Sequence, residues 1–274
     1  MLFMNTSVLF IDFVDELQIR AGTLTEDSVR YIFFSCLLRQ DKHLNNYTLE
    51  LPYICMYLGN GQYPYSQWMS LNPNFFGQRK QALDLFYKDT SNNTFYCFEF
   101  KFHRDPKLVV NPSASYSKKA SKPRTSLAGG IFNDLHRLQL IQSANMNNKY
   151  SVRKYLVYVT DALMDKYLGA PNGVAAKDPF RQNLKAFYTL PINSGMTVSV
   201  HNNGTTYGNA SYQSIISSAR PMTLNIINRE CADLHHVPCP SLLGNECHIR
   251  IYEVVDGINK NGDTIDDWYS WSNY

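Results

Sequence analysis

The chain has 274 residues, 44% of them hydrophobic and 14% aromatic, with a formal net charge of +3. That is enough apolar material to bury a full core, as one large domain or one domain with a sizeable insertion. No run of 18 or more apolar residues occurs, which argues against a transmembrane helix and a membrane partner. The apolar start, Met1 to Ile11, has no basic region ahead of it and runs into Asp12, Asp15 and Glu16, so a secretory signal is not expected and the cytoplasm is. Six cysteines in a chain of this size do not suggest a disulfide framework.

Taken in order, Ser7 to Arg20 places Leu9, Phe10, Phe13, Val14 and Leu17 at helical spacing, with Gly22 as a stop. Thr25 is a good N-cap for a second helix, Glu26 to Arg39, whose apolar stripe is Val29, Ile32, Phe33, Cys36 and Leu37. Tyr47 to Leu51 reads as a short strand ended by Pro52. Two aromatic-rich strands follow, Gln81 to Tyr87 and Phe95 to Phe102, separated by the polar turn Asp89 to Thr94. Ser126 caps a predicted helix, Leu127 to Gln142, with Ile131, Leu135 and Leu138 inward, and Arg153 to Thr160 has the pattern of a buried central strand.

The hairpin carries the chemistry. Side chains alternate along a strand, so Cys97, Glu99, Lys101 and His103 share one face, while Phe98, Phe100 and Phe102 share the other and read as core. A turn centred between Ser91 and Asn92 sets Asp84 across from Glu99; one residue later, it sets Asp84 across from Lys101. Opposed Cβ atoms lie about 4.5–5.5 Å apart, and facing like charges are destabilising unless compensated. A divalent cation compensates: two carboxylates plus water and phosphate oxygens suit Mg²⁺. Lys101 beside it could orient, or help deprotonate, a water for in-line attack on phosphorus. The plain alternative is a solvated Glu99–Lys101 pair with Asp84 an unpaired surface acid.

Asp84 followed by Glu99-Phe100-Lys101 resembles the metal site of the PD-(D/E)xK, or restriction-endonuclease-like, nucleases, with Leu83 in place of the proline of the motif's name. The resemblance covers roughly residues 23 to 160 on the order helix, strand, strand, strand, helix, strand. It implies an α/β sandwich around a central mixed sheet, with Asp84 and Glu99 as metal ligands and Lys101 assisting the nucleophilic water. Mg²⁺ is the implied cofactor, with Mn²⁺ able to substitute, and DNA the implied partner, RNA not excluded. Several branches of the family also carry a metal-binding acid on the helix before the sheet. Glu26 looks like that residue, although acids favour first turns for the helix dipole alone; Glu50 is the competing third ligand. The activity implied is that of a DNA endonuclease of restriction or defence type. The alternatives are a structure-specific repair or junction nuclease and a non-catalytic nucleic-acid-binding module of the same fold.

Charge concentrates just after that strand. Residues 101 to 124 hold seven bases (Lys101, Arg104, Lys107, Lys118, Lys119, Lys122, Arg124) against one acid, Asp105, leaving 19 bases and 22 acids elsewhere. A Ser- and Pro-rich basic loop beside a metal strand sits where a phosphate backbone must pass. Arg104, Lys118, Lys119, Lys122 and Arg124 are the expected contacts, with His103 able to join them; a merely solvated loop is the plainer reading. Ala128-Gly129-Gly130 would let amide groups approach a phosphate or a helix approach the sheet.

The expected organisation is an N-terminal helix (1–22), a nuclease core (23–165) and a β-rich part (166–274). Thr197 to His201, Thr205 to Tyr207 after an Asn-Asn-Gly turn, Thr223 to Ile227 and His248 to Val255 read as strands in that part. It could complete the sheet, recognise substrate or make a homodimer contact. Cys231, Cys239 and Cys247, interspersed with His235, His236 and His248, match no strong zinc spacing and read better as packing residues.

Overall fold

A computed structural model describes residues 6–19, 24–52, 82–104, 151–170, 179–200, 222–238 and 245–255, with 130, 131, 134, 135, 138, 139 and 141 between them. Helices α1 (Thr6–Ile19) and α2 (Glu26–Gln40) come first. Strands β1 (Tyr47–Pro52), β2 (Ala82–Asp89), β3 (Thr94–His103) and β4 (Ser151–Asp161) follow, with Gly130, Ile131, Asp134, Leu135, Leu138 and Gln139 helical between β3 and β4. Helices α3 (Ala162–Gly169) and α4 (Pro179–Tyr188) precede β5 (Gly195–Val200), β6 (Met222–Leu234) and β7 (Cys247–Val255).

The strands form one seven-stranded sheet in the order β1-β2-β3-β4-β7-β6-β5. Only β3 and β4 are parallel. A parallel pair needs a long crossover, and the helical residues around Asp134 lie within it. The fold is thus α/β with an open mixed sheet. β7 pairs with β4, and β6 and β5 follow outward, so the chain beyond residue 165 extends the same sheet.

Local sequence explains the first elements. The Thr25 hydroxyl accepts the Ser28 amide at 3.1 Å, and the Ser28 hydroxyl accepts the Thr25 amide at 2.6 Å, closing a capping box that starts α2. In the turn after β2, the Asp89 carboxylate accepts the amides of Ser91 and Asn92, and Asn93 takes φ 50°, the left-handed region that asparagine tolerates. This turn sets the register: Leu85 faces Phe98 and Asp89 faces Thr94, which corresponds to centring between Ser91 and Asn92.

Each face of the sheet has its own core. Leu85, Tyr96, Phe98, Phe100, Tyr155 and Val157 meet α1 and α2, as strand alternation predicts. Phe33 is central there, its ring 5.2 Å from Phe13, 5.0 Å from Phe98 and 5.2 Å from Phe100 in edge contacts. Leu156, Tyr158 and Tyr252 alternate to the other face, where α4 brings Phe187 within 4.2 Å of Tyr252 and Tyr188 within 6.0 Å of Tyr158.

The strands β5, β6 and β7 of residues 166–274 are preceded by two helices that the expectation did not include, α3 and α4. Asp161 ends β4 and caps α3, accepting the Met164 amide at 2.8 Å. A buried strand that stops at an aspartate and passes into Ala-Leu-Met is a helix start, and this signal outranks the local frequency of Asn and Gly. Residues 205–207 lie outside the described segments. None of the described helices is long and apolar enough to cross a membrane.

Phe33 is 1% exposed. Phe33→Ala should empty the place where α1, α2 and β3 meet and cost about 3–5 kcal/mol, read as a lower urea midpoint at unchanged slope. A loss below about 1 kcal/mol would mean that the aromatic cluster does not organise this face.

Candidate functional site

The site is built where β2 and β3 part. Their ladder runs from Asp89 and Thr94 to Leu85 and Phe98, and β2 then continues against β1 alone to Ala82 and Pro52. Asp84 is the first residue past the ladder, at the position that continues its register to Glu99. Glu99 is close enough to Asp84 to act on its carboxyl group and favour its charged form.

Parting leaves β3 with free amides on that edge, and carboxylates take them. Asp84 Oδ2 accepts the Phe100 amide at 2.7 Å, and Glu26 Oε2, from the first turn of α2, accepts the Phe102 amide at 3.2 Å. Burial raises the pKa of Asp84, against the Phe100 amide, Glu99, Lys101 and Arg30, which lower it. Burial also raises that of Glu26, opposed by Lys101 and the Phe102 amide and helped by Asp134 and Asp84.

One cation comes from β3 and one from α2. The Lys101 ammonium lies 3.1 Å from Asp134 Oδ2 and 3.5 Å from Glu26 Oε2. Burial works against that charge, but Asp134, Glu26 and Glu99 outweigh it and raise the lysine's pKa above its ordinary value. Lys101 is therefore held as a cation. Arg30, one helical turn after Glu26, is buried and reaches Asp84 Oδ1 at 3.3 Å, Asp27 at 2.9 Å and Glu50. Glu50 stands at φ 53°, at the place in β1 that the β1–β2 register sets across from Asp84.

Asp84, Glu99, Lys101 and Glu26 are thus brought to one place, with Glu50 at its rim. The sequence reading missed Arg30 and Asp134. A charged residue within each helix's apolar stripe was the signal: Arg30 beside Val29 and Phe33, Asp134 beside Ile131 and Leu135. His103, expected among the nucleic-acid contacts, is instead buried at 5% exposure, with Nδ1 3.0 Å from the Tyr158 hydroxyl. Burial first and Lys101 second push its pKa down to about 3, with Asp134 opposing. A neutral imidazole shut away from solvent is not placed to hold a phosphate. Arg104 is half-buried just past β3, while Lys118, Lys119, Lys122 and Arg124 lie outside the described residues.

Among the described residues, no three carboxylate, imidazole or thiol groups converge closely enough to hold a metal by themselves. The Asp84–Glu99 pair nevertheless fits Mg²⁺ chemically. It offers hard oxygen donors from two neighbouring side chains, and Mg²⁺ is commonly held by one or two carboxylates with water and phosphate completing its shell. The zinc alternative finds no support among the described residues. Ile249 and its partner Ala232 belong to the α1–α2 face, so alternation turns Cys247 towards that core and Cys231 to the opposite face. Cys239 lies outside the described residues.

No protein-family model, no curated protein and no solved structure matches the chain.

The His103 environment has a pH signature. Its folded pKa lies below the ordinary value near 6.5, so the folded state resists protonation. The stability it contributes is intact above about pH 6.5 and drains away as pH falls from there towards 3. His103→Gln, which keeps an acceptor for Tyr158, should lose less stability than wild type between about pH 7 and 4 in urea titrations. Parallel acid limbs would show that His103 is not buried neutral.

Proposed function

We propose that this chain is a metal-dependent phosphodiesterase, best read as a DNA endonuclease of restriction or defence type on a restriction-endonuclease-like core. The observation that carries the reading is the carboxyl pair Asp84–Glu99 at the strand fork, with Lys101 two residues further along β3. The order α2, β1, β2, β3, the Asp134 helix and β4 supports it.

Asp84 and Glu99 hold the divalent ion in this reading, and Glu26 is near enough to Asp84 to influence its charge. A bound Mg²⁺ supplies a lowered pKa for its water and polarisation of the phosphoryl oxygens. The protein groups do the rest. Lys101 is fixed as an ammonium by Asp134 and Glu26, so it donates a hydrogen bond to the attacking water and opposes charge building on the phosphate, and it does not take the proton. Asp134 fixes where that ammonium stands.

One observation favours a second reading. Arg30 and Lys101 already pair with the site's carboxylates, so the cluster could be a structural ion network in a module that binds nucleic acid without cutting it. Cleavage assays separate the two: supercoiled plasmid, linear duplex, single strands and RNA, each with Mg²⁺, Mn²⁺ or EDTA. The nuclease reading expects cleavage with metal and none in EDTA. Asp84→Ala or Glu99→Ala should abolish cleavage while nucleic acid still binds. Lys101→Ala should keep metal binding and lose most of the rate. Should wild type cut nothing under any metal, and Asp84→Ala change neither Mn²⁺ affinity nor thermal stability with metal, the ion network is all there is.

The basic segment gives an independent prediction. Replacing Lys118, Lys119, Lys122 and Arg124 with Ala should flatten the salt dependence of duplex binding by about 0.9 in slope for each phosphate no longer neutralised. The midpoint of thermal unfolding should barely move. An unchanged slope would remove the segment from the interface.

A further inference from the structure

Arg30 was not among the expected site residues, yet it is the cation that joins Asp84 on β2 to acids on β1 and α2. Its guanidinium bridges Asp84, Glu50 and Asp27, while its Nε is buried without a hydrogen-bond partner. A guanidinium loses several kcal/mol of hydration on burial and needs compensating partners. Those partners differ in exposure. The Asp84 side chain is 18% exposed, whereas Glu50 is 58% and Asp27 74% exposed. Arg30 is therefore suspended between one half-buried acid and two solvent-facing ones. The Asp84 contact is also its longest, at 3.3 Å against 2.9 Å to Asp27.

We propose that Arg30 is a resident counter-ion of Asp84 that competes with a divalent cation for this carboxylate, with Glu50 as the anchor that draws it aside. This rests on the metal site proposed above and adds to it how loading is controlled. Without metal, Arg30 offsets part of the charge of a half-buried acid. With metal, the two cations repel, and the guanidinium shifts its weight to Glu50 and Asp27 without leaving its helix. Glu50 is then a positioning residue that acts on the site through Arg30, where the sequence pattern offered it as a third ligand.

The proposal assigns opposite signs to neighbouring residues. Mn²⁺ titrations of the full chain, followed by the paramagnetic resonance of free ion and by calorimetry, read it with no nucleic acid present. Arg30→Gln should tighten Mn²⁺ binding by on the order of tenfold or more, since it removes a unit charge beside the ligand. Glu50→Gln should weaken binding, because Arg30 then rests on Asp84. In the Arg30→Gln background, Glu50→Gln should change nothing further, because its effect passes through the arginine.

Asp84→Ala serves as the reference that loses the site. Unchanged or weaker binding in Arg30→Gln, with Asp84→Ala still abolishing it, would overturn the counter-ion role and leave the metal site standing. A further loss in the double variant would make Glu50 a ligand and overturn its role as anchor. If neither wild type nor Arg30→Gln binds Mn²⁺, the metal site falls and this inference falls with it. Thermal unfolding reports whether Arg30→Gln folds. If it does not, Glu50→Gln still decides, since tighter or unchanged binding there contradicts the proposal.

Discussion

Beyond Phe98, no described strand pairs with β3 on its β2 side, and a buried amide left without an acceptor costs about 1–3 kcal/mol. The Phe100 and Phe102 amides escape that cost by bonding to carboxylates, Asp84 from the diverging strand and Glu26 from the start of α2. The need for acceptors thus brings acids to the fork for a backbone reason. Once there, they lie beside Glu99, and the local excess of negative charge needs cations. Arg30 and Lys101 meet part of that need from within the chain. The same arrangement that completes the backbone bonding thus gathers carboxylates and their cations at one place.

The fork also explains why residues from both faces of the sheet meet. Lys101 points away from the phenylalanine core, yet it reaches Glu26 on α2 as well as Asp134 on the helix of the opposite layer. Within a fully paired stretch, backbone would separate those layers. Here β2 has turned aside, and the edge of β3 is reachable from either side.

The hairpin was the most legible part of the sequence because its information is local. Alternating Phe98, Phe100 and Phe102 set the core face, and Asp89 with the Asn-rich turn set the register that brings Asp84 towards Glu99. Thr25 as a cap and the stripe of α2 were legible for the same reason. Arg30 and Asp134 were not singled out, since a charge on an apolar stripe acquires its meaning only from partners on distant strands. α3 and α4 were not singled out, although Asp161 ends a buried strand and caps the helix that follows it. His103 shares the face of Glu99 and Lys101 by alternation, but alternation carries no information about depth, and Tyr158 covers it.

Helix α2 contributes Glu26 and Arg30 to the fork and, less than one turn further on, Phe33 to the centre of the aromatic core. The consequence concerns the speed of any rearrangement. A helix pinned through Phe33 to Phe13, Phe98 and Phe100 cannot slide or rotate to withdraw its arginine without breaking that packing, and collective motions of this kind belong to microseconds and longer. Turning about the side-chain bonds of Arg30 needs no such rupture, only the exchange of one carboxylate for another among Asp84, Glu50 and Asp27. Any change of partners by this arginine is therefore a side-chain event on a still backbone.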